Sequence, residues 1–145
     1  MTMNRNYQKS VLDAFTTSAQ TLLTGNNISF ANNGVLTGCS ISHAAGTPTI
    51  VLKKPGLYYV SFEADVLPSA AGTVSVILQN NGVTVPGVAT STTGTTTNTI
   101  RVILDTIVEV KPSCCAVDNT KNLIFNNSGV GAVYTNTAVS VIKLC

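Results

Sequence analysis

Apolar and polar residues alternate along three stretches of the sequence, and this two-residue period limits the fold more than any other feature. In residues 56–66 the even positions from Tyr58 onward are apolar, and Glu63 and Asp65 stand between them. Residues 73–79 and 101–110 show the same alternation. Successive side chains of a β-strand point to opposite faces. The period therefore predicts strands with one face in a core and the other in solvent.

Turn-forming residues separate the predicted strands at short intervals. Asn81-Gly82 and Asn33-Gly34 each supply two residues that tolerate positive φ, as a type I′ hairpin requires. Residues 126–129 (Asn-Asn-Ser-Gly) end another apolar run, and residues 89–98, which are mostly Thr and Ser, predict an exposed and mobile loop. Turn signals about every 8–12 residues are typical of sandwiches and barrels. The sequence therefore predicts an antiparallel all-β fold.

The composition is poor in charge, which excludes several classes of protein. Charged residues make up 10% of the 145 positions, and the net charge is +2. A coiled coil, a charge-rich disordered tail and a nucleic-acid binder that relies on phosphate contacts are excluded. No apolar run approaches the ~18 residues of a membrane helix, and no secretion signal follows Met1, so we expect no membrane contact. We place a polar arm at residues 1–10 and one domain at residues 11–145, beginning with a strand.

The last predicted strand is apolar on both faces. Two sets of apolar side chains alternate along residues 137–144. Val139 and Val141 lie on one face, and Ala138, Ile142 and Leu144 lie on the other. A strand of this kind lies either centrally in a sandwich or against neighbouring subunits. The adjacent Tyr58 and Tyr59 point to opposite faces of their strand, so they also suggest that both of its faces are covered. Oligomerisation is the favoured explanation, since burial of apolar surface stabilises by about 25 cal/mol per Å².

Two segments carry a resemblance to a known family. Residues 56–62 (Gly-Leu-Tyr-Tyr-Val-Ser-Phe), followed by Val-Ser-Val-Ile-Lys-Leu at 139–144, resemble the jelly roll of tumour necrosis factor, the globular head of the first complement component and bacterial collagen-like spore-surface glycoproteins. The resemblance covers residues 22–145 and implies an antiparallel jelly-roll β-sandwich that forms a homotrimer, with the final strand lining the threefold axis. The trimer interface that it implies comprises Tyr58, Tyr59, Val139, Val141, Ile142 and Leu144.

The sequence departs from that family because no collagen-like stalk and no secretion signal precede the domain. A stalkless version rich in Thr and Asn resembles a bacteriophage structural protein, either a trimeric head fibre or a capsid decoration, assembled in the host bacterial cytoplasm as part of the virion. The resemblance implies docking onto other virion proteins through the arm residues Arg5, Tyr7 and Lys9. It also implies that outer loops contact a host-surface glycan or a neighbouring protein, through Ser91, Thr95, Thr97, Asn126 and Asn127. A trimeric surface-layer or spore-surface adhesion domain is the alternative.

Templates for metal binding and catalysis are incomplete in this sequence. Cys39 and His43 have the spacing of two metal ligands, but a closed zinc site needs about four, so we expect a free thiol and a loop histidine. The chain contains one histidine, which leaves few bases for nucleophilic catalysis. We therefore expect no enzyme, no metal and no cofactor. The competing hypothesis is a monomeric ligand-binding module or a β-sandwich hydrolase.

Cysteines and carboxylates complete the inventory of reactive groups. We expect Cys39, Cys114, Cys115 and Cys145 to be free thiols that are buried or half-buried, because two are adjacent and the spacing does not suit a disulfide framework. The acidic residues Glu63, Asp65, Asp105 and Glu109 fall on the polar parity of their strands. We expect them on solvated outer faces, where surface acids normally lie.

Overall fold

The alternating stretches form β-strands in the computed structural model, which describes residues 9–112 and 120–145. Within these residues the strands follow one another without an intervening α-helix. Their bounds are β1 Val11–Thr16, β2 Gln20–Leu22, β3 Asn32–Thr37, β4 Ile41–His43, β5 Ile50–Leu52, β6 Gly56–Pro68, β7 Gly72–Asn80, β8 Val83–Gly94, β9 Ile100–Val110, β10 Lys121–Asn127 and β11 Ala132–Lys143. No helix in the described residues has the length and apolar character to cross a membrane.

The strands form two antiparallel sheets that pack face to face. Sheet 1 has the order β3-β1-β11-β6-β9, and β2 also pairs with β11. Sheet 2 has the order β4-β5-β10-β7-β8. The chain passes repeatedly between the sheets, and β11 returns to lie between β1 and β6, as in a jelly roll. The predicted antiparallel jelly-roll β-sandwich is confirmed.

The core lies between the two sheets and is built by the apolar parity of each strand. Burial alternates residue by residue along β6, β7 and β9, as the two-residue period predicts. Phe62 of sheet 1 stacks on Phe125 of sheet 2, with ring centroids 4.6 Å apart. Phe30 meets both rings edge-on at 6.3 Å. Such aromatic pairs add about 0.5–1.5 kcal/mol beyond the area that they bury.

The final strand has the central place that one of the two sequence interpretations required. β11 pairs with β1 on one side and with β6 on the other. Val139 and Val141 are fully buried between the sheets, whereas Ala138 and Ile142 lie half-buried on the opposite face of sheet 1. The protomer's own core therefore accounts for the apolar residues on the inner face of β11 but not for those on its outer face.

The two predicted hairpins have different outcomes. Asn81 and Gly82 both have positive φ, at 51° and 81°, and join β7 to β8, so this type I′ prediction is confirmed. The prediction for Asn33-Gly34 is wrong, because both residues lie inside β3 and neither has a positive φ. A Cβ at Gly34 would lie 3.1 Å from Cε1 of Phe15. Glycine is suited to this position by a close approach to β1 and not by a turn.

The Thr-rich segment at residues 89–98 is shorter as a loop than predicted. β8 continues through it to Gly94, and residues 89–94 pair with β7, so only residues 95–99 connect β8 to β9. Thr has a high β propensity, and ladder pairing to β7 extends the strand into polar sequence. Gly94 is buried, and a Cβ there would lie 2.7 Å from both Ile100 and Pro68.

Candidate functional site

An apolar row crosses the face of sheet 1 that points away from the core. The strand register places Val11 of β1 opposite Ile142 of β11, Ile142 opposite Tyr59 of β6, and Tyr59 opposite Ile107 of β9. Directly paired residues point to the same face of a sheet. These four residues, named the apolar row from here on, therefore form a continuous band across four neighbouring strands. Ile107 keeps 60% of its surface exposed, although it is a large hydrophobic residue.

Further exposed apolar side chains lie at the two edges of the same sheet. Ile103 is 55% exposed on the edge strand β9. Val35 and Leu36 are 44% and 42% exposed on the opposite edge strand, β3. Val35 pairs with Asp13 and Ile103 pairs with Glu63, so both lie on the outer face of sheet 1 but in rows other than the apolar row. Exposed apolar side chains that share one face of a sheet are typical of an interaction site.

A polar row lies next to the apolar row on the outer face of sheet 1. The register aligns Asp13, Ser140, Ser61 and Asp105 across the same four strands. The Ser61 hydroxyl donates to Asp105 Oδ1 at 2.6 Å, and the Ser140 hydroxyl donates to Asp13 Oδ1 at 3.3 Å. Each aspartate therefore has a neutral hydrogen-bond donor on the neighbouring strand.

The four carboxylates expected on outer faces lie on β6 and β9, and two of them share one arginine. Arg101 lies between Glu63 and Asp65 and forms ion pairs with them at 2.9 and 3.0 Å. The pKa of Asp65 is lowered, first by a hydrogen bond from the Asn136 amide and then by one from Arg101. On β9, Asp105 and Glu109 are exposed as predicted. The geometry supports solvated ion pairs on an outer face.

The residues proposed for the trimer interface divide into two groups in the structure. Tyr58, Val139 and Val141 are 0% exposed because their side chains fill the protomer's own core, so they offer no surface to another subunit. Tyr59 and Ile142 belong to the apolar row, and Leu144 is exposed beside it. The residues that sequence reasoning missed are Val11, Ile103 and Ile107. The signal was present, since Ile103 and Ile107 are apolar residues on the polar parity of β9.

The residues predicted for the outer loops also divide. Ser91, Thr95 and Thr97 are exposed, although Ser91 lies within β8. The placement of Asn126 and Asn127 in a loop is wrong, because they end β10 and are 7% and 0% exposed. Their amides donate to backbone carbonyls of residues 22–25, at and just after the end of β2, so hydrogen bonds compensate for their burial.

The structure describes one of the three predicted arm residues, and it describes the histidine in full. Arg5 and Tyr7 lie outside the described residues, and Lys9 is exposed at the start of them. His43 is not in a loop. It is 6% exposed at the end of β4, where its ring nitrogens face Asn33 Oδ1 and the Thr47 carbonyl oxygen, the latter at 2.8 Å.

For the two cysteines that the structure describes, the prediction of free thiols is correct and the prediction of burial is wrong. Cys39 and Cys145 are free, as expected, but both are exposed instead of buried. Each lies outside the strands, where no facing sheet covers it. Cys114 and Cys115 lie outside the described residues. Among residues 9–112 and 120–145, no three His, Cys, Asp or Glu side chains gather as metal ligands.

Comparison with known proteins identifies the fold. No protein-family model matches the chain, and no curated protein sequence matches it. Murine APRIL at pH 5.0 matches with a TM-score of 0.69 and 9% identity, over 94% of this chain and 100% of that chain. The globular domain of zebrafish complement 1qA matches with a TM-score of 0.69 and 12% identity, over 94% and 98%. PRD1 vertex protein P5 matches with a TM-score of 0.58 and 11% identity, over 94% and 98%. The chain therefore has the jelly-roll fold of the tumour necrosis factor and complement globular-head domains.

Proposed function

We propose that the chain is a non-enzymatic structural protein that forms a homotrimer through the outer face of sheet 1. The observation that carries this proposal is the apolar row, which leaves Ile107 60% exposed in the protomer. Apolar side chains aligned across four strands are costly in water and are stabilised by a second surface. The polar row beside them supplies the hydrogen-bonding groups that interfaces contain next to their apolar centres.

The two edges of sheet 1 support a ring instead of a twofold dimer. A cyclic trimer joins two different patches, one from each neighbour, whereas a twofold dimer joins a patch to itself. On the outer face the β9 edge presents Ile103 and Ile107 and the opposite β3 edge presents Val35, while Leu36, which pairs with the buried Leu12, is exposed at the same edge on the core side. Two separate apolar edges suit the first arrangement. The resemblance to trimeric jelly rolls favours three subunits.

The proposed place of the trimer is a bacteriophage virion, as a head fibre or a capsid decoration that serves adhesion. The shared fold of a phage vertex protein, PRD1 P5, supports this place. The arm, with Arg5, Tyr7 and Lys9, docks the trimer onto other virion proteins. Exposed hydroxyls at Ser91, Thr95 and Thr97 offer hydrogen bonds to a host-surface glycan. Repetition over a capsid turns weak contacts into avidity. The alternative remains a trimeric surface-layer or spore-surface adhesion domain.

A structural role agrees with how the titratable groups are engaged. The imidazole of His43 is buried with both ring nitrogens facing protein oxygens. Arg101 forms ion pairs with both Glu63 and Asp65 on the outer face. A general base needs a free lone pair directed at a substrate in a cleft, and these groups are directed at the protein itself.

The interface is tested by comparing Ile107→Asp with a matched control, Val83→Asp. Both replace an exposed apolar residue by aspartate, and Val83 is 70% exposed at the start of β8 in sheet 2. Completing the burial of Ile107 is worth about 1–2 kcal/mol per subunit, and burying an unpaired carboxylate adds several more. We expect Ile107→Asp to dissociate the assembly in light scattering and Val83→Asp to leave it intact. Folded monomers are verified by circular dichroism. Assembly that survives Ile107→Asp would contradict the proposed interface.

The virion role is tested separately, in purified particles of a phage that encodes the chain. We expect mass spectrometry to find the chain in intact particles, and to lose it when residues 1–8 are deleted. A chain that forms trimers but never copurifies with particles would refute the virion role and leave the trimer proposal standing.

A further inference from the structure

A pocket of about 380 Å³ lies at one end of the sandwich, where Ser10 and Lys143 adjoin Val11 and Ile142 of the apolar row. Its lining includes two thiols, Cys39 and Cys145, and two ammonium groups, Lys9 and Lys143. Both cysteines are free and exposed. The pocket therefore brings nucleophilic and cationic side chains from three distant parts of the chain to one open site.

Cys39 is held in a defined position by the backbone on either side of it. Gly38 has a φ of 76°, and a Cβ there would lie 2.3 Å from Ser10 Oγ, so the β3–β4 connection passes tightly over Ser10. The Ser10 hydroxyl oxygen then accepts a hydrogen bond from the Ser40 N–H at 3.0 Å. The residues before and after Cys39 are thus tied to the same buried serine.

Lys54 provides the activating contact. Its ammonium group donates a hydrogen bond to Cys39 Sγ at 3.2 Å. The buried Tyr58 hydroxyl donates to the Lys54 carbonyl oxygen at 2.6 Å, which fixes the backbone from which Lys54 extends. The pKa of Cys39 is lowered, first by the Lys54 hydrogen bond and next by the Lys54 charge, with smaller contributions from Lys53 and Lys143.

We propose that Cys39 is a modification site whose thiolate reacts with small anionic disulfides. The thiolate, and not the thiol, is the nucleophile in such exchange. Lys54 stabilises the thiolate through its hydrogen bond, and Lys9 and Lys143 attract an anionic reagent into the pocket.

The exchange is balanced without a further oxidant. Cys39 Sγ attacks one sulfur of the reagent and forms a new S–S bond. The original S–S bond breaks, and its electron pair leaves with the second sulfur as a thiolate. The products are a mixed disulfide on Cys39 and one free small thiol.

The first test uses the unmodified chain and a limiting amount of glutathione disulfide, which carries several carboxylates. Peptide mass spectrometry measures the labelling rate at each cysteine. Cys145 is the internal reference, because it is exposed and lines the same pocket. We expect Cys39 to be labelled about tenfold faster than Cys145. Equal rates at the two cysteines would overturn the proposal.

The second test separates the effect of Lys54 from solvent access alone. We expect Lys54→Gln to slow labelling of Cys39 about threefold or more, because the loss of thiolate outweighs the gain in nucleophilicity that accompanies a higher thiol pKa. The matched control is Lys121→Gln, since Lys121 lines a different pocket beside the β7–β8 hairpin. A neutral disulfide, hydroxyethyl disulfide, should label Cys39 more slowly than glutathione disulfide at low salt. An unchanged rate in Lys54→Gln, or no preference for the anionic reagent, would contradict the proposed site.

Discussion

Asn127 offers the sharpest single test of the fold, because its side chain is polar and yet fully buried. Its amide nitrogen donates toward three backbone carbonyl oxygens, those of Val130 at 3.1 Å, Leu23 at 3.3 Å and Leu22 at 3.4 Å. Its Oδ1 accepts the Tyr134 hydroxyl at 2.9 Å. Asn127 therefore joins the end of β10 to β11 and to the segment after β2.

We expect Asn127→Ala to lower the free energy of unfolding by about 3–4 kcal/mol. The Tyr134 hydroxyl is fully buried, and leaving a buried donor without an acceptor costs about 1–3 kcal/mol. Each hydrogen bond lost from the amide nitrogen adds about 0.5–1.5 kcal/mol. Urea unfolding followed by circular dichroism measures the loss. A domain of this size has about 5–15 kcal/mol of stability in total, so the effect is large.

Two companion variants make the test specific. Tyr134→Phe removes the hydroxyl and should cost about 1–2 kcal/mol, and the double variant should cost less than the sum of the two single variants because the shared hydrogen bond is lost only once. Asn98→Ala, at an exposed site between β8 and β9, should stay within about 0.5 kcal/mol of the unmodified protein. A loss below about 0.5 kcal/mol for Asn127→Ala would refute the buried placement of this side chain. The sequence-based placement of Asn127 in a surface loop would then be correct.

Two further predictions concern the chain start and the charged patch on sheet 1. Deleting residues 1–8 should leave urea stability unchanged, whereas deleting through Ser10 should cost about 1–3 kcal/mol, because Ser10 accepts hydrogen bonds from the Ser40 and Lys143 N–H groups. Equal stability of both truncations would refute the role of Ser10. Arg101→Ala should cost less than about 1 kcal/mol, since both of its ion pairs are solvated. Because the pKa of Asp65 is lowered in the folded state, its carboxylate stabilises the protein at pH values above the unfolded pKa of about 3.9. This stability is lost as the pH falls through the folded-state pKa. Arg101→Ala should make the acid-induced loss of stability smaller, because Arg101 is one of the groups that lower this pKa.

The strands with one polar face could be predicted residue by residue from the sequence. In β6 and β7 the two-residue period fixes which side chains are buried, because a one-residue slip would move the whole apolar set into water. The Asn81-Gly82 turn was predictable for a related reason, since few residue pairs tolerate positive φ at both positions.

Features that depend on distant partners could not be predicted in this way. Asn126 and Asn127 read as a turn, but carbonyl groups about 100 residues earlier in the chain satisfy their amides inside the fold. Asn33-Gly34 has the composition of a hairpin turn, but the pairing of Asn33 and Val35 with β1 keeps it within a strand. His43 is buried because Asn33 and Thr47 lie beside it, a contact that no local pattern reveals.

The candidate interface was predictable in part. Apolar residues on both parities of the last strand and of β9 signal a second apolar surface, but they do not say which parity faces the core. Val139 and Val141 are on the core side, and Ile142 is on the outer side. Only the pairing of β11 with β1 and β6 reveals that Ile142 continues a row from Val11 to Ile107.

Sedimentation equilibrium of the unmodified chain, over a wide range of concentrations, addresses subunit association without any substitution. If the outer face of sheet 1 is covered by neighbouring copies, the protein sediments as one species with the mass of three 15.0 kDa chains. A single 15.0 kDa species at every concentration would mean that the apolar row stays open to water, and the proposed assembly would be wrong.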